Sequence, residues 1–463
     1  MQNKISYFTM LKFLTFAVVT LSINGVDAKV VPAKKAAAKT TRTAAPHARD
    51  LAEWTIVAYV QADNNLAPYA TYNINDMQVG MKSADQVNML VEWDQPNNNK
   101  TWRYRIVPGN RIEDGSLSTE MGIDPVGEIV AAMQWAQTNY PAKKYGLILW
   151  NHGSGVEDFK NPLAKTQRLI HSWIQIPGAA VLSPGQRGIL YDDSQGTCLT
   201  NQGLTSALTQ IKTNLGKNLD FLGMDACLMA MLEVGYQVKD CVNYFVGSQQ
   251  TEPGNGWAYS NWLTPLTTNP SSFGGLELSQ AIVAAYGQFY QNEKDAQDYT
   301  QSAVQTSAID GIKQNINQFI ANVAACKVAD ATQTKAMIKA ARKQATEFYM
   351  PEYIDLYSFY AALGNRLGKN AAKSERILNA ARPAAKSVNK NFLAACATLK
   401  QTVSAGMKLI SSAVVANASG PDYPNVKGVS IYYPTTGSIH ASYPLTQFAQ
   451  DSAWLGFLKE YRK

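Results

Sequence analysis

Histidine and cysteine are scarce in this chain: four of one and five of the other among 463 residues. Five is odd, so at least one cysteine stays unpaired within the chain; there is room for one disulfide but not for a disulfide framework. Cys326 in "NVAACK" and Cys396 in "FLAACAT" lie in Ala-rich helical stretches and read as buried, inert thiols. No apolar run is long enough to cross a bilayer. No compact Asp/Asn-rich loop of EF-hand type occurs, and Asp192-Asp193 reads as turn and cap chemistry. Ser154 in "HGSG" does not fit the Gly-x-Ser-x-Gly elbow of serine hydrolases. Internal repeats are absent. The net charge of +7 makes no case for nucleic acid: the Lys/Arg excess sits in residues 1–50, and the rest is close to neutral.

What is present begins with an export pattern. Lys4 and Lys12 precede "FLTFAVVTL" (Phe13 to Leu21), and Val26-Asp27-Ala28 puts small residues where a signal peptidase reads. Residues 1–28 are therefore expected to be a signal peptide. No cysteine stands at the cleavage point, which argues against a lipoprotein. Residues 29–50, rich in Ala, Lys and Thr and without an aromatic residue, read as a flexible linker or short pro-segment. The protein is expected to be exported: secreted, periplasmic or held at the cell surface.

Apolar content of 46% against 17% charged describes a globular chain. "WTIVAYV", "NMLVEW", "TWRYRIV", "YGLILW", "LDFLGMD" and "YFVGSQ" read as strands. Helical spacing lies between several of them, with Pro125 at a first helical position. Alternating strands and helices predict an α/β fold, a mostly parallel sheet covered on both faces, over residues 51–275. Residues 276–463 read as a largely helical region that returns a strand, 428–434, to the sheet.

Two strand ends carry the chemistry. "GLILWNHGSG" stops on Asn151-His152-Gly153, and "LDFLGMDACLMAMLEVGY" places Asp225-Ala226-Cys227 between a strand and an expected helix start. Sites in parallel sheets lie beyond the carboxyl ends of the strands. A cysteine at a helix N-terminus favours thiolate, and a histidine within reach supplies its base. The backbone N–H groups of Gly153 and Cys227 would form the oxyanion site. Singly, a strand-end histidine is more often structural and a cysteine in an apolar setting more often inert. Their pairing at two ends of one sheet points to a nucleophile and its base.

Apolar strand plus His-Gly, followed by apolar strand plus Asp-x-Cys, resembles the clostripain family of cysteine peptidases (C11), which shares the caspase and gingipain fold. "WTIVAYVQADNNL", "GILYDDSQGTCLT", "QQTEPGNGWAY" and "GVSIYYP" extend the likeness over most of the chain. The resemblance implies an endopeptidase with His152 as base and Cys227 as nucleophile, acting on polypeptides after basic P1 residues. Asp225 falls where the family binds that basic side chain. Asn255 stands where the family often adds a second acid, so weaker discrimination is expected. The resemblance also implies that calcium can be required, and that the chain cuts itself within 156–188, after Lys160, Lys165, Arg168 or Arg187. The competing reading is an inactive, exported peptide-binding module on the same fold.

Overall fold

Val57, Ala58, Tyr59 and Val60 are all buried, although neighbours on a strand point to opposite faces. A strand apolar on both sides needs cover on both sides, and this one has it. In the computed structural model, which describes residues 51–96, 99–157, 188–293, 296–380 and 383–462 (backbone alone between 369 and 389), two apolar cores lie against the sheet. Ile56, Ala58, Val60, Ile148 and Phe221 face one core; Val57, Tyr59, Leu147, Leu149 and Leu222 face the other.

The strands are β1 (Ala52–Gln61), β2 (Val87–Asp94), β3 (Thr101–Val107), β4 (Asn110–Leu117), β5 (Ala142–Trp150), β6 (Ile189–Asp192), β7 (Thr197–Leu199), β8 (Phe221–Asp225), β9 (Tyr244–Gly247), β10 (Thr300–Gln305), β11 (Tyr353–Asp355), β12 (Val414–Ser419) and β13 (Ser430–Tyr432). Nine of them form one sheet in the order β12-β10-β9-β8-β5-β1-β2-β3-β4. β2, β1, β5, β8 and β9 run parallel, and antiparallel strands close both sides. Helices α1 (Ala67–Gly80), α2 (Pro125–Asn139), α3 (Asn201–Leu215) and α4 (Leu232–Val238) follow β1, β4, β7 and β8. Pro125 opens α2 behind an Asp124 cap that accepts from the Gly127 N–H. α1 covers one face together with α5 (Tyr259–Thr268) and α6 (Gly275–Gln291). α2, α3 and α4 cover the other with α7 (Ile309–Ala329), α8 (Ala331–Arg342), α9 (Leu356–Ala380) and α10 (Pro383–Ala413). This is the expected α/β architecture.

Two expectations need correction. β13 does not return to the large sheet; it pairs with β11 in a separate two-stranded sheet. The strands that the later part of the chain adds are β10 and β12, at the edge beyond β9. Residues 50–463 therefore form one compact unit, with no domain boundary at 275/276. Cys326 and Cys396, on α7 and α10, are buried, and none of the five cysteines forms a disulfide in this structure. The signal peptide and the linker assigned to residues 1–50 lie outside the described residues.

Asp94, fully buried at the end of β2, is pushed up to about 9 by burial first and then by the Asp192, Asp63 and Glu120 carboxylates. It holds a proton when folded that the unfolded chain loses near pH 4, so this group's share of stability is lost as pH rises from there through about 9. Asp94→Asn removes that dependence. It should stabilise the protein at pH 8 by about 1–3 kcal/mol, with a smaller gain at about pH 5. Urea midpoints at the two pH values measure this; an equal shift at both would refute it.

Candidate active site

β5 and β8 are neighbours in parallel register, with Trp150 opposite Asp225, so the residues after each strand leave the sheet side by side. Asn151 fixes the first of these turns. Its amide donates to the Gln61 carbonyl (2.6 Å) and the Tyr191 carbonyl (2.7 Å), and its oxygen accepts from Asn64 (3.0 Å) and from the His152 N–H. His152 follows, buried, with Nε2 2.7 Å from Asn65 Oδ1 and its ring edge-on to Tyr191. In the tautomer that donates Nε2–H to Asn65, Nδ1 is the acceptor, as a general base requires.

Cys227 is half-buried, two residues past β8. It does not open a helix: α4 starts only at Leu232. The intervening residues are drawn into extended pairing instead, Ala230 N–H donating to Ser248 (2.9 Å) and Ala230 O accepting from Ser430 (2.9 Å). Leu228 takes a left-handed φ of 66°, held by its N–H on the Gln250 carbonyl at 3.0 Å; such a backbone is costly for a bulky residue. The helix dipole fades within a turn and does not reach the sulfur. Burial pushes the Cys227 thiol up to about 11, with Asp225 adding to the rise. Opposing this, the Glu252 N–H donates to Sγ at 3.3 Å and the N–H of Cys227 itself also acts on it. Burial thus favours the thiol form of Cys227 at rest.

Gly153 lies against this turn: a Cβ there would stand 2.6 Å from the Cys227 carbonyl oxygen. Asp225 is buried, accepting from the Tyr259 hydroxyl (2.8 Å) and the Trp257 N–H (3.4 Å). Burial pushes it up to about 6, with Glu252, Tyr259 and Trp257 working the other way. Glu252 is held well above the usual carboxylate range by burial and by Asp225. His152, Cys227, Asp225 and Glu252 line one cavity of about 30 Å³, room for a single water. His152, Cys227 and Glu252 also line a wider cavity of about 350 Å³ that reaches Asn255, Tyr290 and Glu293.

The structure thus brings His152, Gly153, Asp225 and Cys227 together. Asn255 is exposed on the wider cavity and does not line the smaller one with Asp225. Ser154 is occupied elsewhere: its Oγ accepts from Gly188 N–H (2.8 Å) and the Tyr191 hydroxyl (2.9 Å). Asp192 accepts from Gln61 (3.0 Å), Ser194 (2.9 Å) and the Gln195 N–H (2.7 Å), which is turn and cap chemistry. Among the described residues no three His, Cys, Asp or Glu side chains stand close enough to hold a metal ion. Sequence reading did not single out Asn65 or Glu252; both lie in loops after strand ends, where sites gather, and within the quoted "WTIVAYVQADNNL" and "QQTEPGNGWAY" segments.

The profile of the clostripain family (Peptidase_C11) matches residues 58–173 and 176–461. Clostripain of Hathewaya histolytica is 25% identical over 230 residues, 44% of this chain and 36% of that protein, so the match spans little more than a third of its length. A secreted C11 cysteine protease from Bacteroides thetaiotaomicron, solved with an irreversible peptide inhibitor, superposes with a TM-score of 0.57 at 18% identity, covering 87% of this chain and 99% of that one. An inactive zymogen C11 protease from Parabacteroides distasonis gives 0.52 at 19%, covering 88% and 98%. At these identities the two solved structures establish likeness of fold.

A thiol pushed up to about 11 should react slowly with iodoacetamide at neutral pH, and its alkylation rate should keep climbing above pH 9. Peptide mass mapping of Cys227 against pH measures this. A plateau near pH 7 would instead reveal a preformed thiolate.

Proposed function

Because this chain belongs to the clostripain family, we propose that it is a cysteine endopeptidase in which Cys227 attacks the scissile carbonyl and His152 takes the thiol proton. The observation that carries this reading is the shared cavity of the two side chains at the adjoining ends of β5 and β8. Since burial keeps the resting sulfur protonated, proton transfer to His152 accompanies attack. The imidazolium then protonates the leaving amine, and water hydrolyses the thioester. Asn65 orients the ring, and the N–H groups of Cys227 and Gly153 receive the oxyanion. Presence of both nucleophile and base favours an active enzyme over a peptide-binding module.

The P1 residue is proposed to be lysine or arginine, with Asp225 beneath it. Support comes from charge: neither cavity is lined by a lysine or arginine, while the buried Asp225 and the half-buried Glu252 line the smaller one. Asn255, on the wider cavity, would meet the peptide near that residue through its amide. Export follows from the leader-like sequence of residues 1–28; the described residues hold no helix long and apolar enough to cross a membrane.

Self-processing is proposed as well. The sites expected for it, Lys160, Lys165, Arg168 and Arg187, lie outside the described residues. The flanking residues support association after a cut. Ser154 Oγ donates toward both the Glu157 and Gly188 carbonyls (3.3 Å each), and Ser154 N–H donates to Gly188 (2.9 Å). The described flanks, Glu157 and Gly188, would both stay pinned to Ser154.

Cys227→Ala should abolish peptidase activity on Arg and Lys peptides with the melting temperature nearly unchanged. His152→Ala should lose nearly as much, because nucleophile and base act as a unit. Full activity in either variant sinks the dyad. Intact mass of the purified wild type should show two fragments where Cys227→Ala shows one chain; identical intact masses refute self-cleavage.

A further inference from the structure

Glu252 is the acid that the sequence pattern did not single out. It lines the same 30 Å³ cavity as Asp225, and after burial the neighbouring Asp225 carboxylate is the largest cause that raises it. Two carboxyl groups can bond only through a shared proton, since ionised carboxylates accept and do not donate. Gln301 Nε2 reaches the Glu252 Oε1 at 3.3 Å, whereas Oε2 is shut off from water with no donor partner. The other titratable groups near the pair are the Tyr259, Tyr286 and Tyr290 hydroxyls on α5 and α6, Cys227 and His152 at the strand ends, and Asp76 and Glu293 farther out. No lysine or arginine lines either cavity. A buried Asp225 beside a half-buried Glu252, without a protein cation, makes a site for a cation from outside.

Resting on the basic-P1 reading above, we propose that Glu252 is the second carboxylate of the P1 pocket. It and Asp225 hold one proton between them while the pocket is empty, and an entering lysine or arginine side chain displaces that proton to water and takes its place. One positive charge enters and one leaves, so the buried charge stays balanced without any further partner. The cavity as it stands holds about one water, so a P1 side chain must displace a lining group. Glu252 carries the longest flexible charged chain there. Acid at this position also replaces the charge that Asn255 lacks.

The sign of the pH dependence follows. Asp225 is pushed up to about 6 and Glu252 well above the usual range, burial leading in both. At low pH both acids are protonated and the pocket is neutral. As pH rises the proton becomes easier to displace, so preference for a cation over a neutral isostere should grow through neutrality. Taking the ratio of kcat/KM for Arg-P1 and Gln-P1 peptides cancels the titration of Cys227 and His152.

The test measures that ratio from pH 5 to 9 in the wild type, Glu252→Gln, Glu252→Asp, Asp225→Asn and Asn255→Asp. Glu252→Gln should lower the ratio at pH 8 by about tenfold to a hundredfold and remove its rise above pH 7; Glu252→Asp should keep the rise. A Glu252→Gln ratio and pH course matching the wild type overturns the proposal while leaving the basic-P1 reading intact, provided Asp225→Asn loses the preference. A gain in Asn255→Asp with no loss in Glu252→Gln places the second acid at 255 and also overturns it. No preference for Arg in the wild type removes the reading and the proposal together. Should the Glu252 variants fail to fold, inhibition of the wild type by agmatine decides. Its Ki should tighten as pH rises above 7, and a flat Ki there overturns the proposal.

Discussion

Everything in the site depends on how closely two strand-end turns approach. Gly153 passes so near the Cys227 carbonyl that a single methyl carbon would lie 2.6 Å from that oxygen, with Met229 Sδ and Ala226 Cβ at 3.0 and 3.1 Å. Such contacts leave no room for a side chain, so the turn after β5 can carry only glycine behind its histidine. The parallel register of Trp150 with Asp225 sets the approach. Asn151 then ties the first turn to β1 and β6, and the left-handed Leu228 bends the second away from helix. Leu190, the other described non-glycine residue with positive φ, holds His152 from the far side through its N–H on the His152 carbonyl at 3.2 Å. Of the two strained residues, Leu228 lies on the turn that carries Cys227 and Leu190 on the β6 strand that backs the turn of His152.

The helical region after α6 supports those turns. Tyr353 on β11 donates to the Ser154 carbonyl at 2.7 Å, behind the histidine turn. Ser430 on β13 pairs with Ala230 and Met231, behind the cysteine turn. Tyr349 N–H donates to Gln250 Oε1 at 2.9 Å, steadying the loop that carries Glu252. This buttressing explains why the residues after 50 form one compact unit, although the second half reads as a separate helical region.

Legibility in the sequence followed burial. β1, β2, β5 and β8 are apolar on both faces because both are covered, and such runs stand out by composition. β4, β10 and β12 do not. "NRIEDGSL" is a largely exposed edge. "TQSAVQ" is buried, but it satisfies its polar side chains through partners far away in sequence, Thr300 with Ser248, Gln301 with Glu252 and Ser302 with the Gly428 carbonyl. No local pattern announces such pairs. His152, Cys227 and Asp225 were legible because strand ends are where parallel sheets place their sites. Glu252 and Asn65 were not, since the one depends on a loop folding down over Asp225 and the other on α1 starting beside β5. The expected helix start at Cys227 failed for a related reason: the residues after it pair with β9 and β13 partners that composition does not reveal.

Acid beneath a nucleophilic thiol sets up an opposition. A pocket that attracts a cation also disfavours a thiolate beside it, and Asp225 is among the causes that raise the Cys227 sulfur. A P1 cation seated on Asp225 would cancel that contribution, so the substrate itself would ease ionisation of the group that attacks it. The order of the causes limits how far this goes. Burial contributes more to the raised thiol than Asp225 does, and a bound peptide buries the sulfur further. Charge neutralisation alone therefore cannot deliver a thiolate, and proton transfer to His152 is still required. Its acceptor nitrogen must face Sγ while Asn65 holds the ring from the other side. On the proposed reading, the thiol stays unreactive until a cation and a peptide carbonyl arrive together.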